Sequence, residues 1–307
     1  MEKHGATITP ELIERARKAD LTILGPVDTA HYPPADQGGI NPSAALRINL
    51  DLYANVRPSK VFEGLPALAR NMDLVIVREN TEGFYADRTM YAGTGEVMPT
   101  PDLALAMRKV TRQGSYRVSA FAARLAAKRR GHLTIVHKAN VLKLSDGLCL
   151  SEAEKAAAEQ GGLTVREEHV DAMASLLVRT PDAFDVIVTT NMFGDILSNE
   201  AAELAGGLGL SGSLNVGDEN AIAQASHGSA PDIAGKNIAN PVSLLLSTVL
   251  LLDWKGAETG RSDLQQAANR LDKTISEMLK NPETRTADLA GSLSCRDFGS
   301  ILADRLR

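Results

Sequence analysis

Along the chain, short apolar runs rich in β-branched residues alternate with stretches whose apolar residues recur at helical spacing. The run 185–190 has the length and composition of a buried strand, and a helix is predicted directly after it. Ile196, Leu197, Ala201, Ala202, Leu204 and Ala205 supply that helix's apolar face, and Gly206 and Gly207 end it. Near the start, Thr9 and Pro10 open a helix that runs to about residue 19, with Thr9 as N-cap and Pro10 at the first helical position. Further strands are predicted at 21–24, 74–77, 133–136 and 163–166, and helices at 44–53, 151–160 and 171–179. Two helical patterns occupy 101–130, a buried helix 240–254 and an amphipathic helix 262–280. The segments 27–42 and 206–227 have loop composition, and 78–95 is polar with glycines and aromatics.

Strands alternating with helices predict an α/β fold with a mainly parallel, layered sheet. The G-x-G-x-x-G opening of a Rossmann unit is absent, so any dinucleotide site is built another way. A chain of 307 residues suffices for one large or two medium domains. The net charge of −5 argues against a nucleic-acid surface and for a small-molecule partner. Cys149 and Cys295 make no disulfide framework and match no metal spacing, so a reducing, cytoplasmic setting is expected. The apolar run 244–254 is broken by Ser247, Thr248 and Asp253 and is too short to span a bilayer, and no signal peptide precedes the first periodic segment.

Several residue groups carry chemistry. Asp195 and Asn199 are four apart on the helix after strand 185–190, hence on one face beyond a strand's carboxyl end, where open α/β sheets bind ligands. A plainer role for Asp195 is to complement the helix dipole. Arg47, Arg57 and Arg78 flank apolar elements, and three converging planar forks suit a di- or tricarboxylic substrate, although each alone fits a surface ion pair. Tyr85 and Lys138 are able to exchange protons in a desolvated cleft. Asp171 and Asp195, in successive helices, suit a hard divalent cation shared with substrate oxygens. His137 and His227 lack a ligand partner at i+4 and read as non-ligands. In the stretch His227, Gly228, Ser229, Ala230, Pro231, Asp232, Ile233, small residues allow close backbone approach. Asp232 offers a carboxylate to ribose hydroxyls, and its charge opposes a 2′-phosphate.

Taken together, DLYANVRP (51–58), VIVRENTEGFY (75–85), HKANVL (137–142), NMFGDILS (191–198) and HGSAPDIAGKNIANP (227–241) resemble the isocitrate/3-isopropylmalate dehydrogenase family, which includes homoisocitrate and tartrate dehydrogenases. The resemblance runs over nearly the whole chain in order. It implies a two-domain, non-Rossmann α/β fold, with 1–52 plus 206–307 as a discontinuous cofactor-side domain and 53–205 as the dimer-forming substrate and metal domain. It also implies NAD- and Mg²⁺- or Mn²⁺-dependent oxidative decarboxylation of a 2-hydroxy acid. Arg47, Arg57 and Arg78 would bind its carboxylates, Tyr85 would protonate the enolate and Lys138 would take the hydroxyl proton. Asp171, Asp195 and Asn199 would hold the metal, and Asn140 with the 227–240 loop, including Asn240 near the adenine, would hold NAD. In the family, the lysine and the Asp171 equivalent come from the partner subunit, which implies an obligate homodimer.

Three departures stand out. The sequence starts downstream of the family's first strand and its GDGIGPE turn, so it looks N-terminally truncated and an exposed sheet edge is expected. Asn199 stands where the family usually has a third aspartate, which should lower metal affinity. Gln224 replaces a common acidic residue. The first two also fit an alternative, a catalytically weak or regulatory ligand-binding subunit. Ser43, in GGINPSAALR (38–47), is placed to bond a third carboxylate and tilts the choice toward isocitrate or homoisocitrate, with tartrate and malate still open.

Overall fold

The computed structural model describes residues 5–29, 31–85, 90 and 95–307, so part of the 78–95 segment lies outside the described residues. An eight-stranded mixed sheet runs through the molecule. Its strands are β1 (Thr22–Leu24), β2 (Ala54–Lys60), β3 (Asp73–Glu79), β6 (His132–His137), β7 (Thr164–His169), β8 (Val186–Thr189), β9 (Leu214–Val216) and β10 (Ala221–Gln224). Their spatial order is β1-β10-β9-β2-β3-β8-β6-β7. The β3-β8-β6-β7 half and the β1-β10 pair are parallel, while β10-β9-β2-β3 is antiparallel. The sheet is thus mainly parallel, with an antiparallel seam where β2 meets β9.

Period-two alternation builds a core on each face. Val75, Val77, Val186 and Val188 face the helices α3 (Arg112–Lys128), α4 (Ser145–Gln160) and α7 (Val242–Thr259). Leu74, Ile76 and Ile187 face α5 (Val170–Arg179) and α6 (Asn191–Leu204). Burial of each such side chain contributes about 1.5–3 kcal/mol. α7 also packs with α8 (Ser262–Lys280) and α9 (Cys295–Arg305) around Phe298, Ile275 and Met278. At the β1 edge, helices α1 (Pro10–Lys18) and α2 (Pro42–Asn49) enclose a smaller cluster around Leu52, and Ile23 of β1 is 52% exposed.

Four expectations need correction. The helix predicted at 44–53 is α2, capped by the Asn41 side chain and ended when Asp51 takes a left-handed φ of 47°. Residues 52–60 turn instead into β2. The first of the two helical patterns in 101–130 is a strand: β4 (Glu96–Thr100) and β5 (Leu103–Ala106) form a separate antiparallel ribbon, irregular around Pro99. Every position of both strands is exposed. The 206–227 stretch contains β9 and β10, and α4 begins at Ser145, ahead of the predicted 151. Among the described residues, no helix is long and apolar enough to cross a membrane.

Candidate active site

β2 and β3 pair antiparallel with Asn55 opposite Arg78 and Arg57 opposite Ile76. This register puts Asn55, Arg57 and Arg78 on the face that α6 covers. α6 answers with Asn191, Asp195 and Ser198 at helical spacing. Arg78 donates from Nε and Nη2 to Asn191 Oδ1 at 2.9 and 2.6 Å, and its Nη1 pairs with Asp195 Oδ1. Arg57 donates from Nε to Asn55 Oδ1 at 2.7 Å and from Nη1 to Ser198 Oγ at 3.0 Å and Asn199 Oδ1 at 3.4 Å, while Nη2 lies 3.7 Å from Asp195 Oδ1. The close approach of α6 depends on Gly194, where an added Cβ would meet Arg78 Cβ at 2.6 Å.

These two buried guanidiniums open into a cavity of about 210 Å³. One wall is α2, with Ala44, Arg47 and Ile48, after Asn41 at its cap; the other holds Asn80, Thr81, Tyr85, Asn191 and Asp195. Arg78 lies 5.8 Å from the centre of the Tyr85 ring. The site therefore collects Arg47, Arg57, Arg78, Tyr85 and Asp195. Burial first, and then the adjacent Arg78 cation, push the Arg57 guanidinium down to about 10, against the pull of Asp195. Arg57 still stays cationic at neutral pH, so the cavity gathers positive charge, and among the described residues that line it Asp195 is the carboxylate. Asp195 falls beyond the first turn of α6 and pairs with two guanidiniums, so a helix-dipole role does not account for it.

The turn into Tyr85 is tied down by Glu79, which accepts the Thr81 N–H at 2.6 Å, the Thr81 hydroxyl at 2.7 Å and the Glu82 N–H at 2.8 Å. Burial raises the Glu79 pKa, and these hydrogen bonds oppose the rise. The supporting amides Asn55, Asn80 and Asn191 escaped the sequence reading of the site. The available signal was their position: a polar residue inside or directly after an otherwise apolar strand.

Other residues lie apart from this cavity. Ser43, one turn before Arg47 in α2, is buried and donates to Gln224 Oε1 at 2.7 Å, and it is not among the residues that line the cavity. Lys138 and Asp171 pair with each other at 2.5 Å, and the Asp171 side chain is 69% exposed. Asn140 is exposed. Gly228, Ser229, Ala230, Pro231 and Asp232 form an exposed loop after β10, with Ala230 at φ 46° and Ile233 partly covered. His227 Nδ1 is 2.9 Å from the Gly228 carbonyl, and Asn240 donates to Asp288 at 2.9 Å while accepting the Val242 N–H. Ser43 thereby ties α2, which lines the cavity, to Gln224 at the end of β10.

Among the described residues, no cluster of three or more His, Cys, Asp or Glu side chains is arranged to hold a metal. This chain brings one carboxylate, Asp195, and one amide oxygen, Asn199, one helical turn apart. With a carboxylate from outside the chain and hydroxy-acid oxygens, that set matches the hard-oxygen preference of Mg²⁺ or Mn²⁺.

Residues 1–302 match the sequence profile of the isocitrate/isopropylmalate dehydrogenase family. The chain is 40% identical over 307 residues to the 3-isopropylmalate dehydrogenase of Methanothermobacter thermautotrophicus, covering 100% of this chain and 86% of that protein. It is also 40% identical over 309 residues to the isocitrate/homoisocitrate dehydrogenase of Thermus thermophilus, with 100% and 86% covered. In structure it is similar to the isocitrate dehydrogenase of Methylococcus capsulatus, with a TM-score of 0.86, 35% identity and coverage of 100% of this chain and 87% of that one.

Proposed function

Because the chain belongs to the isocitrate/isopropylmalate dehydrogenase family, we propose that it catalyses NAD- and divalent-metal-dependent oxidative decarboxylation of a 2-hydroxy di- or tricarboxylic acid. The observation that carries this reading is the convergence of Arg47, Arg57 and Arg78 with Tyr85 and Asp195 on one cavity. Three guanidinium forks suit carboxylates, each charge-assisted bond contributing about 1.5–3 kcal/mol. Among the described residues, the apolar part of the wall is Ala44 and Ile48, and the remainder is polar or charged. That composition favours isocitrate or homoisocitrate over 3-isopropylmalate, whose branched alkyl group needs an apolar pocket.

Lys138 takes the hydroxyl proton in the oxidation, for which bound NAD would supply the hydride acceptor, and Tyr85 returns a proton to the carbon that loses CO₂. Asp195, the Asn199 amide and Asp171 hold the divalent cation, which when bound polarises the oxygen on the oxidised carbon. Lys138 and Asp171 lie outside their own chain's cavity and pair with each other, which supports their joint donation to the site of a second subunit in a homodimer. The 227–240 loop and Asn140 hold the dinucleotide, with Asp232 selecting NAD. The division at residues 52 and 206 accompanies this: α2 belongs to one part, β3 and α6 to the other, and the substrate bridges them.

The test is purified protein with NAD or NADP, Mn²⁺, and a panel of isocitrate, homoisocitrate, 3-isopropylmalate, tartrate and malate. NADH and CO₂ in equal amounts from a tricarboxylate are expected. No reduced cofactor from any member of the panel, with Asn199→Asp also inactive, overturns the reading. Asn199 favours a second reading, a weakly catalytic or regulatory subunit, and that outcome with retained ligand binding supports it.

A further inference from the structure

Lys138 follows the last residue of β6, and its backbone is held at both ends. Its carbonyl accepts the Val141 and Leu142 N–H groups at 3.0 and 2.8 Å. Its N–H donates to Asp146 Oδ2 at 2.6 Å. Asp146 has no solvent exposure, and its other oxygen pairs with Arg108 Nη1. Arg108 stands between β5 and α3, with its side chain 8% exposed. Its Nη1 reaches Ser145 Oγ at 3.1 Å, its Nη2 reaches Thr190 Oγ1 at 2.9 Å, and its guanidinium packs 5.2 Å from the Phe193 ring centre. Thr190 is the N-cap residue of α6, yet its side chain makes no cap hydrogen bond. Its hydroxyl accepts from Arg108 instead.

One buried ion pair therefore spans three places: the turn bearing Lys138, the start of α4, and the start of the helix that carries Asp195 and Asn199. A buried ion pair is a poor source of net stability, because desolvation cancels most of the attraction, and its better-attested use is to specify one arrangement. No residue of this pair lines the substrate cavity. We propose that Arg108 and Asp146 are positioning residues that fix the Lys138 backbone against the start of its own chain's α6, and so aim the lysine from that frame at the second subunit's site. This inference rests on the reading of Lys138 as the hydroxyl base.

Asp146→Asn tests it, since the Lys138 N–H and Arg108 meet different carboxylate oxygens, and the substitution turns one of those acceptors into an NH₂ donor. The assay uses the full chain with NAD, Mn²⁺ and the best substrate of the panel. Expected is a fall of about 10–100-fold in kcat, the scale of a small misplacement of a reacting group, with KM for the hydroxy acid nearly unchanged. The fall should vanish in a Lys138→Ala background, where the single and double variants share one residual rate. Wild-type kcat in Asp146→Asn, or losses that multiply in the double variant, overturn the inference while Lys138→Ala stays impaired. Full turnover in Lys138→Ala defeats the base assignment itself, and the inference with it. Should Asp146→Asn fail to fold by circular dichroism, Arg108→Lys and Thr190→Val enter the same comparison, since each keeps the Asp146 carboxylate while loosening its tie to α6.

Discussion

Asn199 sits one turn from Asp195 and accepts a hydrogen bond from Arg57, so an uncharged oxygen stands where a carboxylate would add a second negative charge. Asn199→Asp is predicted to lower the Mn²⁺ dissociation constant by about tenfold, because ligand charge count sets affinity for hard cations. Calorimetric titration measures this, and an unchanged constant would remove residue 199 from the metal site. At the neighbouring strand end, burial and the His169 ring hold the His137 imidazole below its ordinary 6.5. The unfolded chain then takes up a proton that the folded chain refuses. Stability is therefore lost as pH falls through 6.5 toward the depressed folded value. His137 Nδ1 accepts the Ala139 N–H at 3.1 Å, and His137→Asn retains an acceptor there without the titration. Its melting temperature should drop less than the wild type's between about pH 7.5 and about pH 5.5; equal drops would place the acid sensitivity elsewhere.

At the scale of elements, α6 lies on β3 only because residue 194 has no side chain. Gly194→Ala would force helix and strand apart or push Arg78 aside, a cost of about 1–3 kcal/mol for overpacking. Substrate KM should rise by roughly tenfold for each 1.4 kcal/mol that reaches the Arg78 contact. Steady-state kinetics would show it, and an unchanged KM would mean that the strain is absorbed elsewhere. The strand before α6 and α6 itself were legible in the sequence because a β-branched run gives way to helical spacing at Asn191. α1 was legible from Thr9 and Pro10, and α8 from its amphipathic stripe. β9 and β10 are too short, at three and four residues, for alternation to register inside a glycine-rich stretch. β5 reads LALA, whose alanines favour a helix, and only its pairing with β4 decides otherwise. In the site, the arginines and Tyr85 stood out by chemistry. The amides that orient the guanidiniums did not, because a lone Asn within an apolar run has no periodic signature.

Over the whole molecule, one sheet carries strands from both of the proposed parts of the chain, and the cavity is lined from α2, β2, β3 and α6. The β4-β5 ribbon stands outside that sheet. Val97, Met98, Leu103 and Leu105 are 46%, 68%, 45% and 50% exposed, and an isolated two-stranded ribbon is marginal in water without a surface to rest on. Its apolar side chains are the kind that a second subunit would cover. The practical result belongs to the assay tube. Rate per milligram should decline on serial dilution, in step with a shift to the smaller species in size-exclusion chromatography, and recover on reconcentration. A constant rate per milligram in a sample that has become monomeric would mean that each copy works alone.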